Sequence, residues 1–287
     1  MQILHRIQDV REAVKTARAE NSGLKVGFVP TMGYLHKGHA SLLEAAREQS
    51  DLVVLSIFVN PLQFGPNEDL SRYPRDQERD LAVARAAGTD IVFFPSVEEM
   101  YPQPTKTVVS VSEVTERLCG AARPGHFDGV ATVVTKLFNI VQPDQAYFGL
   151  KDAQQIAVIQ QMVDDLNTPV GIVPCPIVRE EDGLAMSSRN VYLQPEERKQ
   201  ALVLSAALRM AEGLVQSDSG SLQAEELRQA VIDHIRQSPL ADIDYADILA
   251  YPSLVPVTDL RSTPAFIIAL AVKFGKTRLI DNIIIRK

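Results

Sequence analysis

Apolar and polar positions in the first 177 residues alternate between two textures. Short, nearly unbroken β-branched runs occupy Val26–Pro30, Leu52–Val59, Ile91–Phe94, Thr107–Val111 and Val170–Val173. A strand that is apolar at consecutive positions is buried on both faces, the mark of a parallel sheet covered by helices. Between these runs the apolar spacing becomes helical. Val130, Val133, Val134, Leu137, Phe138 and Val141 form one stripe at i, i+3, i+4, i+7 spacing, and Ile156, Ile159, Val163 and Leu166 form another. Further helices are expected over 40–49 and from the Tyr73–Asp76 stretch to Gly88, with a strand ending near Phe148. His5 and His234 fall in amphipathic helices. This alternation predicts an α/β fold with right-handed crossovers, in which ligands sit beyond the carboxyl ends of the strands.

After Val178 the pattern changes. Helical periodicity covers 195–216 and 221–237, separated by the linker-like Ser217-Asp218-Ser219-Gly220. Strands are then expected at 244–250, 265–272 and 277–285, the last two joined by a hairpin through Lys273-Phe274-Gly275-Lys276. The prediction is two domains: a Rossmann-like parallel-sheet domain over 1–177 and a smaller C-terminal α+β domain over 178–287. The chain length of 287 residues agrees, at about 150 residues per domain.

Composition narrows the class. With 46% hydrophobic and 23% charged residues the chain is an ordinary globular protein. Lys plus Arg number 29 against 36 Asp plus Glu, a net charge of −7. The excess is shared, 13 against 15 in residues 178–287 and 16 against 21 in 1–177, so neither half is a basic module. That argues against nucleic acid and against an anionic membrane surface as partners, while leaving room for a small anion held by local cations. Two cysteines, Cys119 and Cys175, make no disulfide framework. No signal-peptide core or long apolar run occurs, and the cytoplasm is the expected compartment.

Four segments carry candidate chemistry. The first, Pro30-Thr31-Met32-Gly33-Tyr34-Leu35-His36-Lys37-Gly38-His39, links the first strand to a helix. Such a turn frees backbone N–H groups for an anion, and two histidines three apart can donate to a polyphosphate. They can equally be plain helix-start residues. The second is Asn60-Pro61-Leu62-Gln63, whose amides suit a substrate bearing hydroxyls beside a carboxylate, or else make an Asn-Pro turn. The third is Gly149-Leu150-Lys151-Asp152 with Gln154 and Gln155, either a phosphate and ribose contact or a capped helix. The fourth, Arg179 to Asn190, holds Met186-Ser187-Ser188-Arg189 and reads as a mobile loop closing over phosphates, or as a linker. Arg123, in the loop before the best helix, can add to an anion site. Asp80 can lie near a bound cation, although helix-surface carboxylates are far commoner than metal ligands. Zinc spacing and a P-loop are absent from the sequence.

Read in order, P-T-M-G-x-L-H-x-G-H, F-V-N-P-x-Q-F, R-Y-P-R, R-P-G-H-F, G-x-K-D-x-Q-Q and D-G-L-A-M-S-S-R-N resemble the pantoate–β-alanine ligase family. That family belongs to the HIGH-motif nucleotidyltransferases related to class I aminoacyl-tRNA synthetases. The resemblance runs from about Val26 to Leu193 and continues more weakly to Arg278-Leu279-Ile280-Asp281-Asn282. It implies an ATP-dependent condensation of pantoate with β-alanine through a pantoyl adenylate, with Mg²⁺ assisting. It further implies ATP contacts from Met32, Gly33, Tyr34, Leu35, His36, Lys37, Gly38, His39, Gly149, Leu150, Lys151, Asp152, Val178, Met186, Ser187, Ser188 and Arg189. His39 is then the catalytic histidine, with His36, Lys151 and Arg189 beside it. Gln63 and Gln155 would hold pantoate, Gln63 would also serve β-alanine, and Asn60 and Arg123 are weaker pocket positions. The Met186–Arg189 stretch would be the counterpart of the synthetases' KMSKS loop, at the start of a C-terminal lid. Leu150 stands where the family pattern has Glu. A homodimer is implied, with an exposed apolar stretch of the second strand region as its interface. Competing readings are an AMP-transferring enzyme acting on a phosphorylated cofactor precursor, a tRNA-dependent synthetase-like protein, and a vestigial nucleotide binder.

Overall fold

The structure, a computed structural model, describes residues 1–66, 68–218 and 220–287, so Ser219 of the expected linker lies outside the described residues. The chain divides into two compact units. The first comprises 1–111, 123–150 and 158–176, and the second 112–122, 151–157 and 177–287.

The strands of the first unit are β1 (Gln2–Leu4), β2 (Val26–Thr31), β3 (Leu52–Ile57), β4 (Ile91–Phe93), β5 (Gln145–Gly149) and β6 (Gly171–Cys175). They pair in parallel in the order β1-β4-β3-β2-β5-β6. The order reverses between β2 and β5, where Gly27 and Phe28 pair with Gln145 and Ala146. In open parallel sheets that switch point is where ligands bind, outside the carboxyl ends of the strands. Helices α1 (Ile7–Glu20), α2 (Lys37–Gln49), α3 (Gln77–Ala86), α4 (Val97–Met100), α5 (Leu118–Ala122), α6 (His126–Val141) and α7 (Ala153–Asp165) punctuate this part of the chain. All six residues of the predicted α6 stripe are buried, from Val130 to Val141. Both cysteines are free thiols.

Several local expectations are corrected. Thr107–Val111 forms no strand: Val108 is exposed, the Val109 N–H donates to Thr132 Oγ1 (2.9 Å) and Ser110 Oγ donates to Asp128 (2.8 Å). The segment is tied to α6 by one backbone N–H and one hydroxyl instead of pairing along a sheet edge. His5 is not helical. Residues 2–4 pair with 91–93 as an edge strand, α1 starts only at Ile7, and the His5 ring bonds the Phe94 carbonyl at 2.7 Å. Leu166 falls just past α7 and is exposed. Helix α3 begins at Gln77 rather than Tyr73, because Pro74 disfavours helix before it and Asp76 caps the Arg79 N–H at 3.1 Å. The second strand region offers no exposed apolar stretch: β3 is interior to the sheet with Val53–Ile57 buried, and only Leu62 beyond it is open.

The second unit carries α8 (Pro195–Gln200), α9 (Val203–Ser217), α10 (Ala224–Ile235) and an antiparallel sheet of β7 (Ala241–Ala250), β8 (Ala265–Phe274) and β9 (Thr277–Arg286), with β8 central. The single helix expected over 195–216 is broken at Ala201-Leu202, and α10 starts three residues later than its periodicity suggests. Phe274 pairs with Thr277, leaving Gly275-Lys276 as a two-residue turn with Gly275 at φ +57°. Leu204, Ala207, Leu208 and Ala211 of α9 and Leu227, Val231 and Ile235 of α10 share one core with Ile268, Leu270, Val272 and Phe274.

Candidate active site

The turn between β2 and α2 is held from beneath by one carboxylate. Asp80, 2% exposed, accepts the Tyr34 N–H at Oδ2 (2.9 Å) and the Leu35 N–H at Oδ1 (2.6 Å). Burial pushes its carboxyl up against the pull of those two N–H groups. Gly33 sits at φ +87°, where a Cβ would lie 2.9 Å from both Asp80 Oδ2 and Ile57 Cγ2, so the turn needs glycine for conformation and for space. Tyr34 follows at φ +52°, its ring under the Arg79 guanidinium (4.6 Å). Asp80 is thus committed to loop geometry.

Both histidines of this turn cap the helix they begin. The Gly38 N–H donates to His36 Nδ1 (3.1 Å) and the His36 N–H donates to His39 Nδ1 (3.3 Å). An Nδ1 that accepts carries no proton, so each neutral ring keeps its proton on Nε2 and can donate from there. The ring centroids are 4.1 Å apart. Two matched N–H donors at the positive end of α2, beside the switch point of the sheet, suit phosphate oxygens.

Beyond β3, Asn60 is 1% exposed and its amide is fully used. Oδ1 accepts from the Leu62 N–H (3.3 Å) and the Tyr101 hydroxyl (2.9 Å), and Nδ2 donates to Gln63 Oε1 (3.2 Å) and the Gly129 carbonyl (3.1 Å). Gln63 Nε2 is left on Met32 Sδ (3.2 Å), a weak acceptor. Gly129 lets α6 approach: a Cβ there would stand 2.2 Å from the Leu62 carbonyl oxygen. Arg123 faces Glu68, Nε to Oε1 at 2.8 Å and Nη2 to Oε2 at 2.5 Å, and reaches His126 Nε2 at 3.0 Å; His126 Nδ1 in turn donates to the Gln63 carbonyl (2.8 Å). Desolvation of Glu68 is outweighed by Arg123, which holds the carboxyl below its usual range. A depressed carboxyl stabilises the fold above its unfolded pKa and loses that contribution as pH falls through the folded one. Unfolding titrations of the parent and Glu68→Gln are therefore expected to differ by up to about 1 kcal/mol at neutral pH and to converge in acid. A gap that persists in acid would contradict this.

In the second unit, Asn282 Nδ2 donates to the Lys151 carbonyl (2.9 Å), and Lys151 Nζ stands 3.8 Å from Asp152. The two neighbouring glutamines separate. Gln154 is consumed holding the 114–119 loop through the Cys119 N–H and the Val114 and Arg117 carbonyls. Gln155 is half-buried and its amide is bonded to no described residue, so it is available to a ligand. The 178–190 loop is pinned at its base. Arg179 meets Asp281 through Nη1 (2.6 Å) and Nη2 (3.0 Å), and the Met186 N–H donates to the Val178 carbonyl (3.0 Å). Ser187 Oγ caps the Arg189 N–H (3.2 Å), presenting Ser188 and Arg189 on a short 3₁₀ turn.

Of the residues expected from sequence, the first unit brings together Met32–Leu35, Asn60, Gln63, Asp80 and Arg123, and also holds His36–His39, Gly149 and Leu150. The second holds Lys151, Asp152, Gln155, Val178 and Met186–Arg189. Tyr101, Glu68, Asp281 and Asn282 support the site without having been singled out for chemistry. Each acts across a long sequence separation, and only the weak C-terminal motif hints at the last two. Among the described residues no group of three His, Cys, Asp or Glu gathers as a metal cage, and no helix is long and apolar enough to cross a membrane.

Comparison with known proteins gives a consistent answer. The sequence model of the family described as pantoate-beta-alanine ligase matches residues 2–284. The chain is 56% identical to a pantothenate synthetase of Acetivibrio thermocellus over 285 residues, covering 99% of both chains. It is 47% identical to a crystal structure of pantothenate synthetase from Thermus thermophilus, with TM-score 0.89 and 99% of each chain covered. A pantoate-beta-alanine ligase from Francisella tularensis, complexed with beta-gamma ATP and beta-alanine, is 33% identical with TM-score 0.77, covering 99% of this chain and 97% of that one.

Proposed function

The chain belongs to the pantoate–β-alanine ligase family, and from that premise we propose how its residues perform the pantothenate-forming reaction. In the first step a pantoate carboxylate oxygen attacks the α-phosphorus of ATP, the bond to the β-phosphate oxygen breaks, and pantoyl adenylate and pyrophosphate result. In the second the β-alanine amine attacks the pantoyl carbonyl carbon, AMP leaves with the bonding pair, and the amine loses a proton. Adenylation is needed because a carboxylate oxygen is a poor leaving group, whereas AMP is a good one.

Negative charge grows on the phosphate oxygens in the first step, so catalysis is mainly positioning and charge stabilisation. His36 and His39 donate Nε2–H to those oxygens, with His39 the principal catalytic donor. Lys151 and Arg189 bring fixed positive charge, and the backbone of Met32–His39, Gly149–Asp152, Val178 and Met186–Ser188 lies along the nucleotide. Gln63 and Gln155 grip pantoate, Gln63 also borders the β-alanine position, and Asn60 and Arg123 hold Gln63 from behind. The observation that carries this reading is the pair of Nδ1-capped histidines at the switch point of the sheet.

Mg²⁺ is the natural companion of the nucleotide, neutralising charge on the β- and γ-phosphates. Among the described residues no protein cage stands ready for it, and the oxygens of Asp80, the sequence candidate, are occupied by backbone N–H groups. Bound with the nucleotide, the ion would need no such cage, since one or two carboxylates beside phosphates and water suffice for Mg²⁺. A homodimer and a cytoplasmic location belong to the same proposal, the first being open to analytical sedimentation.

The test is pyrophosphate release from ATP. None is expected with ATP alone, one equivalent per site on adding pantoate, and steady turnover to AMP and pantothenate on adding β-alanine. Failure of pantoate to trigger release would overturn the reading.

A further inference from the structure

The amide of Gln63 does not choose its own orientation. Its Oε1 accepts from Asn60 Nδ2 (3.2 Å), which leaves its Nε2 on the Met32 thioether. A buried NH₂ on a weak sulfur acceptor exchanges readily for a better partner, and a carboxylate or hydroxyl oxygen of a substrate is one. Which end of Gln63 is offered depends on which way Asn60 faces. Three contacts fix that: the Leu62 N–H and the Tyr101 hydroxyl on Oδ1, and the Gly129 carbonyl on Nδ2.

We propose that Tyr101 is a positioning residue for pantoate: through Asn60 it holds the Gln63 amide with its NH₂ group toward the substrate. The shortest contact on Asn60 Oδ1 is the Tyr101 hydroxyl, at 2.9 Å. The Tyr101 ring is itself braced, tilted against Phe58 at 6.0 Å between centroids and lying under Lys136 Nζ at 5.0 Å. Lys136 Nζ also donates to the Met100 carbonyl, so the cation above the ring is anchored to the backbone just before the tyrosine. Burial pushes the phenol up to about 12, so the hydroxyl keeps the proton it donates. The relay runs Tyr101, Asn60, Gln63, substrate, and it rests on the assignment of Gln63 to pantoate made above.

Tyr101→Phe keeps the ring, its contact with Phe58 and the overlying ammonium, and removes only the hydroxyl. The expected result is a fall of about five- to tenfold in kcat/KM for pantoate, the scale of one hydrogen bond, with KM for ATP unchanged and the melting temperature close to the parent's. Asn60→Asp can accept from Tyr101 but cannot donate to Gln63, so Gln63 turns its NH₂ inward and the loss in pantoate is larger. Because both changes act on one relay, the double variant is expected to lose little more than Asn60→Asp alone. Unchanged pantoate kinetics in Tyr101→Phe, parallel losses for pantoate and ATP, or fully additive losses in the double variant would each overturn the proposal. If pantoate triggers no pyrophosphate release even in the parent protein, the functional reading falls instead.

Discussion

Replacing His39 with alanine is expected to lower the rate of pantoyl-adenylate formation by about 10²–10³-fold, the cost of removing one donor from a developing oxyanion. Two effects are combined in that residue. Its Nδ1 accepts the His36 N–H at the start of α2, and losing such a cap costs about 1 kcal/mol of stability. In the proposed mechanism its Nε2–H is the group offered to phosphate, and losing it costs rate. Since the cap is the smaller effect, the variant is expected to fold and to bind ATP while turning over slowly. Single-turnover release of pyrophosphate from enzyme-bound ATP and pantoate measures the step directly. Near-parental release in His39→Ala would remove the histidine from the mechanism.

The largest stability effect is expected at Arg179. Its guanidinium meets both oxygens of Asp281, whose side chain is 1% exposed, and also bonds the Gly183 carbonyl at 3.2 Å. Arg179→Ala leaves a buried carboxylate whose only other hydrogen-bond donor among the described contacts is the Asn282 N–H at 2.8 Å. Breaking a buried pair from one side typically costs about 3–5 kcal/mol, because an uncompensated charge remains inside the protein. Chemical denaturation of parent and variant gives the number. Removing both charges, as Arg179→Met with Asp281→Leu, is expected to recover much of the loss, since the stranded charge rather than the missing attraction does the damage. A single-variant cost below about 1 kcal/mol would mean that the carboxylate escapes to water. The same pair anchors the loop bearing Met186–Arg189, so Arg179→Ala is also expected to weaken ATP binding.

How much of this could be read in the sequence varied with the range of the interaction. The α6 stripe was legible because six buried positions repeat at helical spacing within one segment. The Gly275 hairpin was legible because one glycine between two apolar runs leaves few other turns. The chemical motifs were legible as well, each being a run of a few residues after a strand. Short or shared structure was not. Three residues, Gln2–Leu4, are too few for periodicity to reveal, yet they make an edge strand because Ile91–Phe93 lies beside them. Thr107–Val111 shows the converse, a β-branched run that joins no sheet and whose Val109 N–H bonds a side chain of α6 instead. The same holds in the site. Asp80 looked like a surface carboxylate with a remote chance at a metal, because nothing near it in sequence shows that Tyr34 and Leu35 need its oxygens. Gln154 and Gln155 are indistinguishable as letters; one is spent on a loop about forty residues upstream and the other is free for a ligand.

The reversal of strand order also sets a timetable for synthesis. β2 can pair with β3 once Ile57 has left the ribosome, since those strands are close in sequence. Its other edge is claimed only by β5, so the backbone of Gly27 and Phe28 stays open until Gln145 and Ala146 have been made. For all that time the strand leading to the two histidines is a bare template for any other extended chain. The position that makes β2 an interior strand at the reversal of strand order in the finished protein leaves it the exposed edge of the nascent one.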